Sequence, residues 1–168
     1  MTTRLAWLLA GIGWAVRSLL ELARPNYYDP VNLLDWAAVL SFSLAWLLSA
    51  LAVLLLCRDV GTRSVRAIGL VFAIAAVVAG AANLAEDALG QSWGGVPYVV
   101  GFLVAWLSLI PLTIAIWISP ARRAALLPLA LFGSIALFNA GGGLLILVVA
   151  AAYAIAGRWF LRSSSVTT

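Results

Sequence analysis

AALLPLALFGSIALFNAGGGLLILVVAAAYAIAG, residues 124–157, decides how this chain is built. It carries no charge from end to end, so it reads as one long membrane helix or two short ones. A helix needs about 20 mainly apolar residues to cross the hydrocarbon core, within a range of roughly 17–25. FNAGGG, residues 138–143, sits in the middle of the run. Three consecutive glycines break a helix there, each costing about 1 kcal/mol relative to alanine. The stretch therefore divides into two short spans, about 122–139 and 143–161. The arginines at their ends, Arg122, Arg123, Arg158 and Arg162, snorkel towards water.

Working outward, four more apolar runs precede it. Residues 5–23 form the first, and the loop ARPNYYDPVN follows with two prolines that stop a helix. Residues 33–57 form the second, and the polar link RDVGTRSVR follows. Residues 67–89 form the third and QSWGGVP makes the turn. Residues 98–119 form the fourth, closed by SPARR.

The arginines check the count. With the N-terminus in the cytoplasm, six spans place Arg4, Arg58, Arg63, Arg66, Arg122, Arg123, Arg158 and Arg162 inside, and only Arg17 and Arg24 on the outer half. Cytoplasmic loops carry the excess of Lys and Arg. A single final span would put Arg158 and Arg162 outside and break the pattern. Of the acids, Glu21, Asp29, Asp35, Glu86 and Asp87 fall outside and Asp59 inside. The expected fold is an all-α integral membrane protein of six transmembrane helices with both termini cytoplasmic. Residues 1–162 form one transmembrane domain and 163–168 a short polar tail. The plasma (cytoplasmic) membrane, of bacterial type, is the expected location. The start MTTRLAWLLAGIGWAV resembles a signal peptide, but Arg17 and Glu21 follow too soon and ELA is a poor cleavage site, so the first span is expected to stay.

Composition agrees. Of the 168 residues, 65% are hydrophobic and 10% charged, and the mean hydropathy is +1.11. Soluble domains average about 45–50% apolar and about 25% charged. The net charge of +4 comes with ten arginines and no lysine. They are scattered between apolar runs rather than clustered as phosphate tracking requires, which argues against nucleic acid as a partner. There is no histidine, which removes histidine-ligated metals and histidine acid–base chemistry. One cysteine, Cys57, excludes an intrachain disulfide and a cysteine-cluster metal site. No cofactor is expected.

The spans rhyme. SFSLAWL (41–47) matches GFLVAWL (101–107) at Phe, Ala, Trp and Leu, sixty residues apart. Arg17, Asn83 and Asn139 each sit in the outer part of the first, third and fifth spans. Three helical hairpins in tandem, all oriented alike, account for this; the repeat is parallel rather than inverted. Trp46 and Trp106 then fall near the bilayer midplane as candidate pocket aromatics, although core packing or lipid contact also accounts for them. Tyr27, Tyr28, Trp36 and Trp93 outside, with Trp7, Trp117 and Trp159 inside, read as interfacial belts. Pro111 is a candidate kink in the fourth span.

The stretch NLAEDALGQSW, residues 83–93, poses the functional question. Glu86 and Asp87 stand at the C-terminal end of the third span, whose carbonyls form a negative pole that disfavours acids by about 0.3–1 kcal/mol. They need a cation, a ligand or water. Gly80, Asn83 and Asp87 follow at i, i+3 and i+7, one stripe of a helix. On the first span, Arg17 and Glu21 are spaced i, i+4. Arg17 lies about six residues below Ala23, roughly 9 Å down at 1.5 Å per residue, and an arginine at that depth faces a partner or a wet cavity. The expected outer polar cluster is Arg17, Glu21, Asp35, Asn83, Glu86 and Asp87, with Arg17 bridging Glu21 and Asp87 or Glu86. Gly80 permits close helix approach. Asn32 and Asp35 form a capping box on the second helix.

No nucleophile, base and metal arrangement points to an enzyme. Two functions remain. One is a small polytopic membrane protein whose outward-facing cluster binds or moves a small ligand, or simply locks helices together. The other is an accessory subunit that packs against partner membrane proteins, since the loops leave no soluble domain.

Overall fold

The computed structural model describes residues 2–23 and 30–139. Among them every regular element is helical, and four helices are long and apolar enough to cross a membrane. They are α1 (Thr3–Leu22), α2 (Leu33–Val60), α3 (Arg63–Asn83) and α4 (Gly95–Trp117), and α5 (Leu126–Asn139) follows. α3 runs directly into a π-helical turn, Leu84–Ala88, and single 3-10 turns, Ser92–Gly94 and Arg122–Ala125, lead into α4 and α5. Residues 143–161, read from sequence as the sixth span, lie outside the described residues, as do glycines 141–143, Arg24, Tyr27, Tyr28, Asp29, Trp159 and the C-terminal tail.

The helix ends follow from local chemistry. Thr2 Oγ1 accepts the N–H of Leu5 at the head of α1. At the head of α2, Asn32 Oδ1 accepts the Asp35 N–H at 3.0 Å while Asp35 Oδ2 accepts the Asn32 N–H at 3.4 Å, the reciprocal capping box that the sequence suggests. α2 ends at Gly61, whose φ of 82° is the left-handed conformation that glycine adopts without strain. The polar link 58–66 is mostly helical rather than a loop: only Gly61 and Thr62 separate α2 from α3. The charged side chains Arg58, Asp59, Arg63 and Arg66 are exposed without unwinding the backbone. A helix keeps its own hydrogen bonds where it leaves the hydrocarbon, so polarity alone does not end it.

Successive helices pack on one another, α1 on α2, α2 on α3, α3 on α4 and α4 on α5. The packing surfaces are built from small residues. A Cβ at Gly101 of α4 would lie 2.9 Å from both the Ala75 carbonyl oxygen and the Ala79 nitrogen of α3. A Cβ at Gly80 would lie 3.2 Å from the Ser43 carbonyl oxygen of α2, so Gly80 does allow a close approach. Gly69 meets Cys57 in the same way. Ala6, Ala10, Ala45, Ala76 and Ala105 are fully buried, whereas Leu19, Leu40, Leu44, Leu70, Ile74, Leu107 and Ile114 are exposed. Such an inverted distribution would be unstable in water. It suits lipid, where small residues bring helices together and large aliphatic side chains face acyl chains. The chain is membrane-embedded by this pattern and by the four apolar spans.

A row of rings runs through the bundle. Trp14 meets Trp46 edge-on with centroids 5.6 Å apart, Trp46 meets Phe102 at 5.8 Å, and Trp106 stacks on Phe132 at 5.0 Å and 13°. Trp7, read from sequence as an interfacial residue, is fully buried in this core, because α2 and its neighbours cover that face of α1. Trp36, Trp93 and Trp117 are exposed near helix ends. α4 continues through Pro111 to Trp117.

The two ends of the bundle differ. At one, Thr3 Oγ1 donates to the Asp59 carboxylate, and Thr2, Arg4, Ala121 and Ala124 border the same shallow cleft. The start of α1, the end of α2 and the α4–α5 link therefore meet. At the other end, the C-terminal part of α1, the first turns of α2, the π turn and the head of α4 meet around a cavity.

Candidate functional site

The π turn answers the question raised by the adjacent acids. A π-helix closes its hydrogen bonds over one more residue than an α-helix, and such turns recur at functional sites. Here it follows Asn83 and contains both Glu86 and Asp87. It is closed by Gly90 at φ 62°, beyond which the Gln91 N–H donates to the Ala85 carbonyl at 2.9 Å. Before the turn, Asn83 faces α2, its Nδ2 donating to Ser43 Oγ at 3.5 Å. Within it, Glu86 lies against the head of α4: a Cβ at Gly95 would sit 2.9 Å from Glu86 Oε1, and one at Gly94 would sit 2.6 Å from the Ala82 carbonyl oxygen. Glycine at both positions lets α4 begin in contact with the turn. A carboxylate at a helix C-terminus is disfavoured, but Glu86 is also beside a helix N-terminus, whose positive pole favours it by about 0.3–1 kcal/mol.

The cavity has a volume of about 660 Å3. Arg17, Asn83, Glu86, Asp87 and Ser92 supply its polar lining, and Val39, Phe42, Tyr98 and Val99 much of its apolar wall. Arg17 and Asn83 are buried, at 5% and 7% exposure, while Glu86 and Asp87 are half-buried and Ser92 is exposed. The site therefore runs from the protein interior to a wet mouth. Arg17 Nη1 is 2.5 Å from Glu21 Oε2, and its guanidinium lies 5.4 Å from the centre of the Phe42 ring. An arginine at this depth is tolerated because it has an ionic partner, an aromatic face and a polar cavity.

The structure brings Arg17, Asn83, Glu86 and Asp87 to one cavity, with Glu21 joined through its ion pair. The direct pair differs from the expected bridge. Among the described residues Glu21 is the acid within ion-pair distance of Arg17, and Asp87 shares its cavity without that contact. Helical i, i+4 spacing delivers Glu21 to the guanidinium, whereas the widened turn sets the direction of Asp87. Asp35 is not part of the described lining; its buried carboxylate belongs to the capping box and also accepts the Val31 N–H at 3.2 Å. Trp46 and Trp106 also lie off the lining. Trp46 is wholly buried in the ring row, and the Trp106 indole N–H donates to the Phe132 carbonyl at 3.1 Å.

Among the described residues the aromatics on the lining are Phe42 and Tyr98, with ring centroids 6.2 Å apart. Both were legible as members of helical stripes, Phe42 four residues before Trp46, and Tyr98, Phe102 and Trp106 at successive intervals of four. Ser92 carried no such signal. Chemically, the arrangement offers two carboxylates, a guanidinium, an amide and two hydroxyl groups against apolar and aromatic walls. That mixture suits recognition of a small amphiphilic molecule. Comparison with protein-family models, with curated proteins and with solved structures finds no match to this chain.

Proposed function

We propose that this protein is a six-span plasma-membrane protein with both ends in the cytoplasm, which binds a small ligand in a pocket opening on the outer face. The observation that carries the ligand reading is the cavity itself, where buried Arg17 and Asn83 meet Glu86 and Asp87 beside two aromatic rings. Polar groups at membrane depth are expensive and belong to pathways and sites. Orientation is supported by the arginines. Arg4, Arg58, Arg63, Arg66, Arg122 and Arg123 flank the start of α1, the α2–α3 link and the α4–α5 link, which the positive-inside rule puts in the cytoplasm. The cavity then faces outward. The three-hairpin repeat is part of the same reading, and its test is geometric: superposing residues 33–60 on 95–117 should bring Trp46 onto Trp106.

The ligand reading is tested by extracting the protein in mild detergent and identifying bound small molecules by mass spectrometry. Val96, 73% exposed, is a lining residue whose replacement by tryptophan narrows the cavity without disturbing the core. A species that accompanies the wild type and is lost from Val96→Trp supports the reading. No bound species, or one retained unchanged by Val96→Trp, counts against it. The alternative, an accessory subunit, rests on the apolar outer surfaces of the helices, which lipid also satisfies. Recovery of a stoichiometric membrane-protein partner, with no small molecule, would favour it.

A further inference from the structure

The charges around the cavity select among ligands. Among the described residues three ionisable side chains line it: Arg17, Glu86 and Asp87. The positive charge of Arg17 is matched by Glu21 at 2.5 Å. Among the described residues neither Glu86 nor Asp87 lies within ion-pair distance of a basic side chain. The described lining therefore carries net negative charge. An anion entering it would meet two like charges while the arginine is already engaged. A neutral solute would displace water and leave Asp87 without a counter-charge and Glu86 with only the α4 N-terminus, which is costly. A cation removes both penalties.

The walls refine the choice. Tyr98, half-buried, offers ring surface on the lining and Val99 continues the wall with aliphatic groups, while Phe42 is buried with the Arg17 guanidinium over its ring. Aromatic faces attract organic cations through their quadrupoles, most strongly where water is excluded. A bare metal ion would use none of this apolar area and demands several converging oxygens. We infer that the pocket takes a small organic monocation, an ammonium with an aryl or alkyl body, its head at Glu86 and Asp87 and its body against Tyr98 and Val99. This deepens the pocket reading proposed above and rests on it. Asn83, tied to Ser43, and Ser92 at the mouth supply neutral polar contacts on either side of the head.

Three probes with nearly the same aryl body and different heads test it: 2-phenylethylammonium, 2-phenylethanol and 3-phenylpropionate. The readouts are thermal stabilisation of the purified protein in a neutral detergent and the dissociation constant by calorimetry. The expected result is stabilisation by the ammonium alone, about tenfold weaker binding in Asp87→Asn, a change equivalent to one lost charge-assisted contact, and no binding in Val96→Trp. Stabilisation by the alcohol or the carboxylate as strong as by the ammonium, abolished by Val96→Trp, would overturn the cation class while leaving the pocket in place. Ammonium binding that survives Val96→Trp unchanged would place the ligand elsewhere and overturn both. An ammonium that fails to bind at millimolar concentration overturns the inference, whatever the extraction experiment recovers.

Discussion

Arg17 is held by an acid one turn away and by a ring on the neighbouring helix, and both contacts can be measured. Replacing it by glutamine removes the pairing with Glu21 and the guanidinium over Phe42. Glu21 is more than a third exposed, so water screens part of the pair. The cation–π contact adds about 0.5–2 kcal/mol. Arg17→Gln is expected to cost about 1–2 kcal/mol, read as a lower melting temperature in detergent. In double-mutant cycles the coupling of Arg17 to Glu21 should exceed its coupling to Asp87, because only the first pair is in contact. The reverse order would restore the bridge across the cavity. Asp87→Asn alone should shift stability by no more than about 0.5 kcal/mol, because among the described residues its half-buried carboxylate has no ion-pair partner to lose. What the sequence revealed at this scale was the Arg17–Glu21 spacing and the cost of a deep arginine. The direction of Asp87 was hidden, because a stripe drawn at 3.6 residues per turn assumes a regular helix through residue 87.

At the scale of elements, the glycines set how closely the helices meet, and they rank in a testable order. A methyl at Gly94 would press on the Ala82 carbonyl oxygen at 2.6 Å, which is backbone, whereas one at Gly95 would press on the Glu86 carboxylate, which can move. Gly94→Ala should therefore destabilise more than Gly95→Ala, by about 1–3 kcal/mol as for other overpacked sites. Gly101→Val should be in the same range, since both backbone atoms facing it belong to α3. Equal, negligible effects in thermal unfolding would show that α3 and α4 are not seated as described. The apolar runs were readable because hydrocarbon demands about 20 apolar residues per span. The short α2–α3 link was misread as a longer loop because charge marks the membrane boundary, not the helix end. The π turn left no trace in residues 84–88, since it alters hydrogen-bond register and not composition. The capping box at Asn32 and Asp35 was readable in full, because its two bonds connect residues three apart.

For the molecule as a whole, Arg4, Arg58, Arg63, Arg66, Arg122 and Arg123 among the described residues gather at one end of the bundle, and the mixed cavity with Arg17 lies at the other. Under the orientation proposed above, that asymmetry puts the cavity on the outer face, where it would sample solutes that one facing the cytoplasm would not. The four described spans were legible because lipid acts on whole spans, each of which sums about 20 weak preferences. The cavity was not, because it depends on the seating of four elements at once: α1, α2, the π turn and α4. The most direct measurement uses thiol labelling of intact cells with a membrane-impermeant maleimide, in a Cys57→Ala background. Ser92 lies on the cavity lining and is exposed, whereas Ser64, also exposed, lies beside the α2–α3 link at the arginine-rich end. Ser92→Cys should label from outside, and Ser64→Cys should label only after the membrane is permeabilised. Labelling of Ser64→Cys but not Ser92→Cys in intact cells, or equal labelling of both, would contradict an outward-facing pocket.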